Sequence, residues 1–205
     1  MNFIFLVKKN IMRKKEREIK YLSQKELKKL FDIIEKTKDN NKLYLRDLLI
    51  FNLMYYLALR VSEVGSLLFD DYNSLNNTIY IRRLKGSNNN TLKLDEKRLK
   101  ILKKYIRDYN INSWVLFKTQ NWWKLDRFAI NSILKKYEKL SWIKLNTHIF
   151  KHSIWVHLGE SWIDIKDLQY YLWHKDIKNT LIYFKYTTKQ LDDMYKKLEK
   201  NNQLV

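Results

Sequence analysis

The chain has 205 residues, 41 of them Lys or Arg against 22 Asp or Glu, for a formal charge of +19. Hydrophobic residues at 45% and aromatics at 15% suffice to bury a core, which excludes intrinsic disorder as a description of the whole. Zero Cys excludes a disulfide scaffold, thiolate metal sites and a cysteine nucleophile, while zero Pro and three Gly exclude a linker-rich protein and favour helices.

Met1 to Val7 is apolar but far too short to span a bilayer, and it lacks the charged start of a signal peptide, so a soluble cytoplasmic protein is expected. Residues 8–20 form a basic run poor in core residues, read as a tail. Order should begin near Leu22. Ser23 and Glu26 have the spacing of a capping box, ahead of Leu27, Leu30, Phe31 and Ile34 at helical period. A second helix is read from about Leu43 to Leu59; it is apolar nearly all round, so it should be central and buried. Thr78–Leu84 and Thr91–Leu94 are β-prone runs separated by Lys85-Gly86-Ser87-Asn88-Asn89-Asn90, the pattern of a hairpin. Asp95 then caps a helix carrying Leu99, Leu102 and Ile106, and another amphipathic stretch runs from about Arg127 to Leu140. From Thr147 onward four or five short helices are expected, the last from about Lys189 to Lys200 with Leu191, Met194, Tyr195 and Leu198 on one stripe. The fold class is mainly α with a small antiparallel β-sheet.

The excess charge points to an anionic partner, and nucleic acid with its dense phosphates leads over anionic lipid. One discount applies: AT-rich coding would by itself produce a chain rich in Lys, Asn, Ile and Tyr, so the charge alone does not assign the partner.

Specific chemistry enters with a series of short motifs. Ala58-Leu59-Arg60-Val61-Ser62-Glu63 resembles the first signature of the tyrosine recombinases, the phage-integrase and Xer-like family. Ile81-Arg82-Arg83-Leu84-Lys85-Gly86 resembles that family's sheet segment, with a lysine in the turn. Thr147-His148-Ile149-Phe150-Lys151-His152-Ser153 is similar to its His-x-x-Arg-His box, and Leu172-Trp173-His174 to its Leu-Gly-His. Ile182-Tyr183 follows, nine residues after His174. Singly, each has a plain alternative: Arg60 as a solvated charge at a helix end, Lys85 as a common turn residue, Tyr183 as one of fourteen tyrosines in the packing. Order and spacing together set the series apart. A zinc site at His148 and His152 fails, because Ile149 stands where a metalloprotease helix has glutamate and no further ligand cluster follows. His152 reads as a packed, hydrogen-bonded histidine.

The resemblance covers roughly Tyr21 to Leu198 and implies the tyrosine recombinase catalytic-domain fold. It implies a site-specific DNA recombinase that cuts and rejoins strands through a 3′-phosphotyrosyl ester at Tyr183, with no cofactor and no metal. Arg60, His148, Lys151 and His174 would surround the phosphate, Lys85 would protonate the leaving 5′ oxygen, and Glu63 would orient Arg60. The implied partner is double-stranded DNA at a specific site, bound by a homotetramer on two duplexes, in the cytoplasm at the nucleoid and away from membranes. The alternative is a catalytically weak or inactive DNA-binding remnant of the same fold.

Several positions depart from the family pattern. Lys151 stands where a second arginine is usual, Trp173 replaces a glycine, and Trp162 stands near another. Tyr186 is a second candidate nucleophile on roughly the same helical face as Tyr183. The expected organisation is a basic tail over 1–20, a catalytic domain over 21–187, and a C-terminal helix and tail over 188–205 that docks on a neighbouring subunit or packs within its own chain. Only about twenty residues precede the match, so a catalytic domain alone is expected, with the N-terminal DNA-clamping domain usual in the family either lost or supplied by another chain.

Overall fold

The computed structural model of the chain describes residues 20–84, 88–112, 114–161, 166–167 and 171. Helix α1 (Gln24–Lys36) starts at the expected capping box: Ser23 Oγ accepts from the Glu26 amide at 3.3 Å, and Glu26 Oε2 accepts from the Ser23 amide at 2.8 Å. Leu27, Leu30 and Ile34 form its buried stripe. They face α2 (Tyr44–Tyr56), which is buried from Leu45 through Tyr55 and packs against several other helices, as its all-round apolarity requires. Its two buried charges satisfy each other. Arg46 donates to Asp47 Oδ1 through Nε at 3.0 Å and Nη2 at 2.6 Å, while Asp47 Oδ2 accepts from Tyr137 Oη at 3.1 Å.

The sequence reading carries α2 on to Leu59, but the helix stops at Tyr56, because Ala58 takes a left-handed backbone with φ 50°. Arg60 therefore does not end the buried helix. It is the extended N-cap of a new short helix, α3 (Val61–Gly65). Gly65 closes that helix against the chain that leads into the helix beginning at Arg127: a Cβ there would lie 2.6 Å from the Leu125 carbonyl oxygen, too close for any side chain.

A 3₁₀ turn at Phe69–Asp71 leads into β1 (Tyr72–Asn73), a strand too short for the sequence to signal. The expected hairpin follows as β2 (Thr78–Ile81) and β3 (Asn90–Lys93), giving an antiparallel sheet in the order β1-β2-β3. Register pairs Tyr72 with Ile79, Thr78 with Lys93 and Ile81 with Asn90. The alternation sends Ile79 and Ile81 into the core and leaves Tyr80 outside.

Helix α4 (Glu96–Asp108) begins at the expected Asp95 cap, whose Oδ1 accepts from the Arg98 amide at 2.9 Å. Helix α5 (Arg127–Ser141) is capped by Asp126 and ends at Trp142, which is left-handed at φ 58° and 92% exposed. A bulky residue is strained in that conformation, whereas Asn tolerates it, and the exposed indole contributes little packing. Trp142→Asn is expected to stabilise the fold by about 0.5–1 kcal/mol, read as an upward shift of the urea midpoint; an unchanged or lower midpoint would refute the strain argument.

Helix α6 (Ile149–Glu160) packs its buried residues on α2. The chain entering α1 is tied to it, since the Leu22 amide donates to Ser153 Oγ at 2.8 Å. The further helices expected after α6 lie largely outside the described residues. Among the described residues, no helix is long and apolar enough to cross a membrane.

Candidate active site

One buried carboxylate organises the polar centre of the fold. Glu63, 1% exposed on α3, accepts four hydrogen bonds: from the Arg60 amide at 2.8 Å, Arg60 Nη1 at 2.6 Å, Arg83 Nη1 at 3.1 Å and the Leu84 amide at 3.2 Å. Burial opposes its charge, but the Arg60 amide, the Arg83 guanidinium and the Arg60 side chain together hold it below the ordinary glutamate value.

Arg60 reaches Glu63 because α3 starts there: as N-cap it sits three residues before Glu63, with its side chain folded back over the first turn. Its Nη1 also donates to the Leu84 carbonyl at 3.3 Å. Its remaining guanidinium nitrogens have no hydrogen-bond acceptor among the described residues, and the side chain is 22% exposed. Half of a planar fork is thus fixed by protein and half is open to a ligand.

Arg83 is the residue that the motif series missed. It follows β2 on the core side, its side chain only 2% exposed, and it donates through Nε to Asn90 Oδ1 at 2.9 Å and through Nη2 to the Leu57 carbonyl at 3.4 Å. Its own amide donates to Asn89 Oδ1 at 2.9 Å. One guanidinium thereby joins the end of α2, the start of α3 and both arms of the hairpin. The signal was present in the sequence as alternation: Ile79, Ile81 and Arg83 fall on one face of an extended run.

Lys151 lies on the first turn of α6, 6% exposed, with Nζ 5.0 Å from the centroid of the Trp155 ring. Burial pushes its ammonium down to about 7; the nearby charges of Arg60 and Arg83 push the same way, and Glu63 opposes them. Those three influences place Lys151 within electrostatic reach of the Glu63 cluster. His148 is the exposed N-cap of α6, one turn before Lys151. Its ring stacks on that of His152 with centroids 6.0 Å apart. His152 is half-buried, and burial holds its pKa below the ordinary histidine value, in keeping with a packed histidine.

The fold therefore brings Arg60 and Lys151 to one place, with His148 at the adjoining helix start. Lys85, His174 and Tyr183 lie outside the described residues, as do Trp162, Trp173, Tyr186, the 1–19 part of the tail and the Leu191–Leu198 stripe. The chain immediately before Lys85 is held where the Leu84 amide donates to Glu63, and Asn89 beyond the turn accepts from the Arg83 amide. Tyr171, three residues before His174, donates its hydroxyl to the Tyr56 carbonyl at the end of α2 and is influenced by the charge of Arg83. Among the described residues, no three His, Asp or Glu side chains gather as a metal site. Chemically, the centre offers an arginine fork half open to an anion, a second cation of adjustable charge, and an imidazole beside the positive end of a helix.

Comparison with known proteins shows the family and the fold. The family model "Phage integrase family" matches residues 20–190. The chain is 34% identical over 177 residues to the tyrosine recombinase XerA of Pyrococcus furiosus, covering 85% of this chain and 60% of the relative. It is 32% identical over 192 residues to the tyrosine recombinase XerD of Oceanobacillus iheyensis, covering 89% and 63%. Among solved structures it resembles the XerA recombinase, with TM-score 0.70 and 23% identity over 87% of this chain and 65% of that one. It also resembles the XerH site-specific recombinase bound to a palindromic difH substrate, with TM-score 0.72 and 20% identity over 86% and 52%. The chain spans about 60% of the length of XerA from Pyrococcus furiosus.

Proposed function

The chain belongs to the phage integrase family, and from that premise we propose that it is a site-specific DNA recombinase working through a covalent tyrosine intermediate. The observation that carries the proposal is the Glu63 cluster: it holds Arg60 half open to an anion and ties down the strand end before Lys85, within charge range of Lys151.

In the proposed reaction a phosphodiester lies against Arg60, Lys151, His148 and His174. The Tyr183 hydroxyl oxygen attacks phosphorus and loses its proton with help from His148. The bond from phosphorus to the 5′ oxygen breaks, and Lys85 supplies the proton that this oxygen needs. The product is a 3′-phosphotyrosyl ester and a free 5′ hydroxyl. Attack by the 5′ hydroxyl of another strand reverses the chemistry, so the exchange needs no cofactor or external energy source. Negative charge grows on the phosphate oxygens in the transition state, and fixed cations stabilise it most there. Tyr183 takes this role ahead of Tyr186 on its spacing of nine residues from His174.

The proposed substrate is double-stranded DNA at a specific site, in keeping with relatives whose structures hold DNA. Assembly as a homotetramer on two duplexes follows the same analogy, with residues 21–187 as the catalytic unit, 188–205 docking on a neighbour and 1–20 as a basic tail. The site of action is the cytoplasm, at the nucleoid.

A second reading, a DNA-binding protein with feeble chemistry, draws on Lys151. With burial holding its pKa near 7, this position carries only part of a charge at neutral pH, where a guanidinium would carry all of it. Nicked suicide substrates separate the readings: a covalent protein–DNA adduct supports the recombinase, and specific binding without an adduct supports the second reading.

A further inference from the structure

At the end of α2 remote from Arg60, a cleft of about 540 Å³ opens between the α1–α2 connection, α4 and the 118–124 loop. Helix α2 has 13 residues, a length of about 20 Å at 1.5 Å per residue, so this cleft is separate from the Glu63 cluster. It is lined by Tyr105, Tyr109 and Trp122 together with Lys42, Lys118 and Gln120, and none of the described lining residues is acidic. Both tyrosine side chains are fixed: Tyr105 donates its hydroxyl to the Leu116 carbonyl at 3.1 Å, and Tyr109 donates to the carbonyl of Lys42.

Trp122 is the unusual member. It is 60% exposed and left-handed at φ 64°, a costly state for a bulky residue that the loop nonetheless enforces. Lys118 and Lys124 pair across that loop, the Thr119 amide donates to the Trp123 carbonyl at 2.7 Å, and the Trp122 amide donates to the Thr119 carbonyl at 3.1 Å. The Lys118 ammonium lies 5.2 Å from the centroid of the Trp122 ring, over one face of this largely exposed side chain.

We propose that this cleft binds one nucleotide of an unpaired DNA strand, its base stacked on Trp122 and its phosphate between Lys42 and Lys118. Flat rings beside cations, with no opposing carboxylate, are complementary to a ligand that is planar at one end and anionic at the other. The volume lies in the range of small-ligand sites and accommodates one nucleotide. An acidic peptide would use the lysines and leave the rings idle. A paired duplex buries its base faces in its own stack, so the cleft favours unpaired strands. The site stands independently of the proposed strand-cutting chemistry, because it shares no residue with the Glu63 cluster.

The test uses the full chain and fluorescence anisotropy with a labelled short single strand and the duplex of the same sequence, with a free deoxynucleoside monophosphate as competitor. Trp122→Ala should weaken single-strand binding about tenfold and leave duplex binding nearly unchanged, while Trp122→Phe retains most of the affinity. Because Trp122 is exposed, both variants should keep the parent thermal midpoint. Competition by the free mononucleotide that disappears in Trp122→Ala would assign the cleft to nucleotides as such; its absence alongside the single-strand effect would assign it to a strand. Equal binding of single strand by Trp122→Ala and the parent, or an equal loss for single strand and duplex, would overturn the proposal. Loss of duplex binding in the unaltered chain would count against the recombinase reading and leave this comparison intact.

Discussion

At about pH 8.5, Lys151→Arg is expected to form covalent adduct roughly tenfold faster than the unaltered chain, and near pH 6 the advantage should shrink to the smaller part owed to the planar fork. The reason lies in where Lys151 sits. With an ammonium pKa of about 7, only about one molecule in thirty carries the charge at the higher pH, and the approach of a phosphate recovers part of that loss. An arginine stays charged throughout and adds a planar fork. Deprotonation of the tyrosine nucleophile affects both proteins alike, so the ratio of rates isolates position 151. A ratio independent of pH would remove Lys151 from the phosphate site.

The same burial leaves a mark on stability. Lys151 releases its proton near pH 7 when folded and near 10.5 when unfolded, so within that window the unfolded chain binds more protons and folding is favoured as pH rises. The slope contributed by this one group reaches about 1.4 kcal/mol per pH unit and vanishes below about pH 7, where both states are protonated. Urea titrations across the window should show that contribution in the parent and its loss in Lys151→Met; equal slopes would mean that the ammonium is solvated.

Glu63→Gln is expected to be the most damaging conservative change. It keeps the shape but leaves Arg60, Arg83 and Lys151 without the carboxylate that offsets them. The expected cost is about 3–5 kcal/mol of folding stability, together with a fall of roughly a hundredfold in adduct rate as Arg60 loses its anchor. Duplex binding, spread over many surface cations, should change only a few-fold. Since Glu63 raises the Lys151 pKa, its removal should also move the alkaline fall of the rate to lower pH. A variant with parent stability and parent rate would show that the four hydrogen bonds to Glu63 do not govern the site.

Much of this architecture could be read from local chemistry. Ser23 and Asp95 declare their helices because a side-chain oxygen facing a free amide is a property of a few adjacent residues. The apolar run of α2 announces a central helix for a similar reason. What stayed hidden depends on partners remote in sequence. The end of α2 is set by a left-handed Ala58, a conformation for which alanine gives no cue, and strand β1 exists only because Tyr72 finds Ile79 to pair with. The partners that satisfy the buried Arg46 and Asp47, the Lys118 carbonyl and Tyr137, likewise lie 72 and 90 residues away.

The candidate site divides along the same line. Motif order singled out Arg60, His148 and Lys151. It passed over Arg83, whose importance arises from reaching Glu63 twenty residues earlier and Asn90 across the hairpin. The depressed pKa of Lys151 is likewise a product of packing: no string of residues shows that an ammonium sits 6% exposed among two arginines.

The central claim is that this centre presents a DNA phosphate to Tyr183. The most direct measurement is to trap the chain on a nicked suicide substrate, digest the DNA and the protein, and locate the nucleotide-bearing peptide by mass spectrometry. A 3′-phosphonucleotide on Tyr183, absent from Tyr183→Phe and retained in Tyr186→Phe, is the predicted result. Modification at Tyr186 instead, or specific binding with no covalent nucleotide at all, would contradict it.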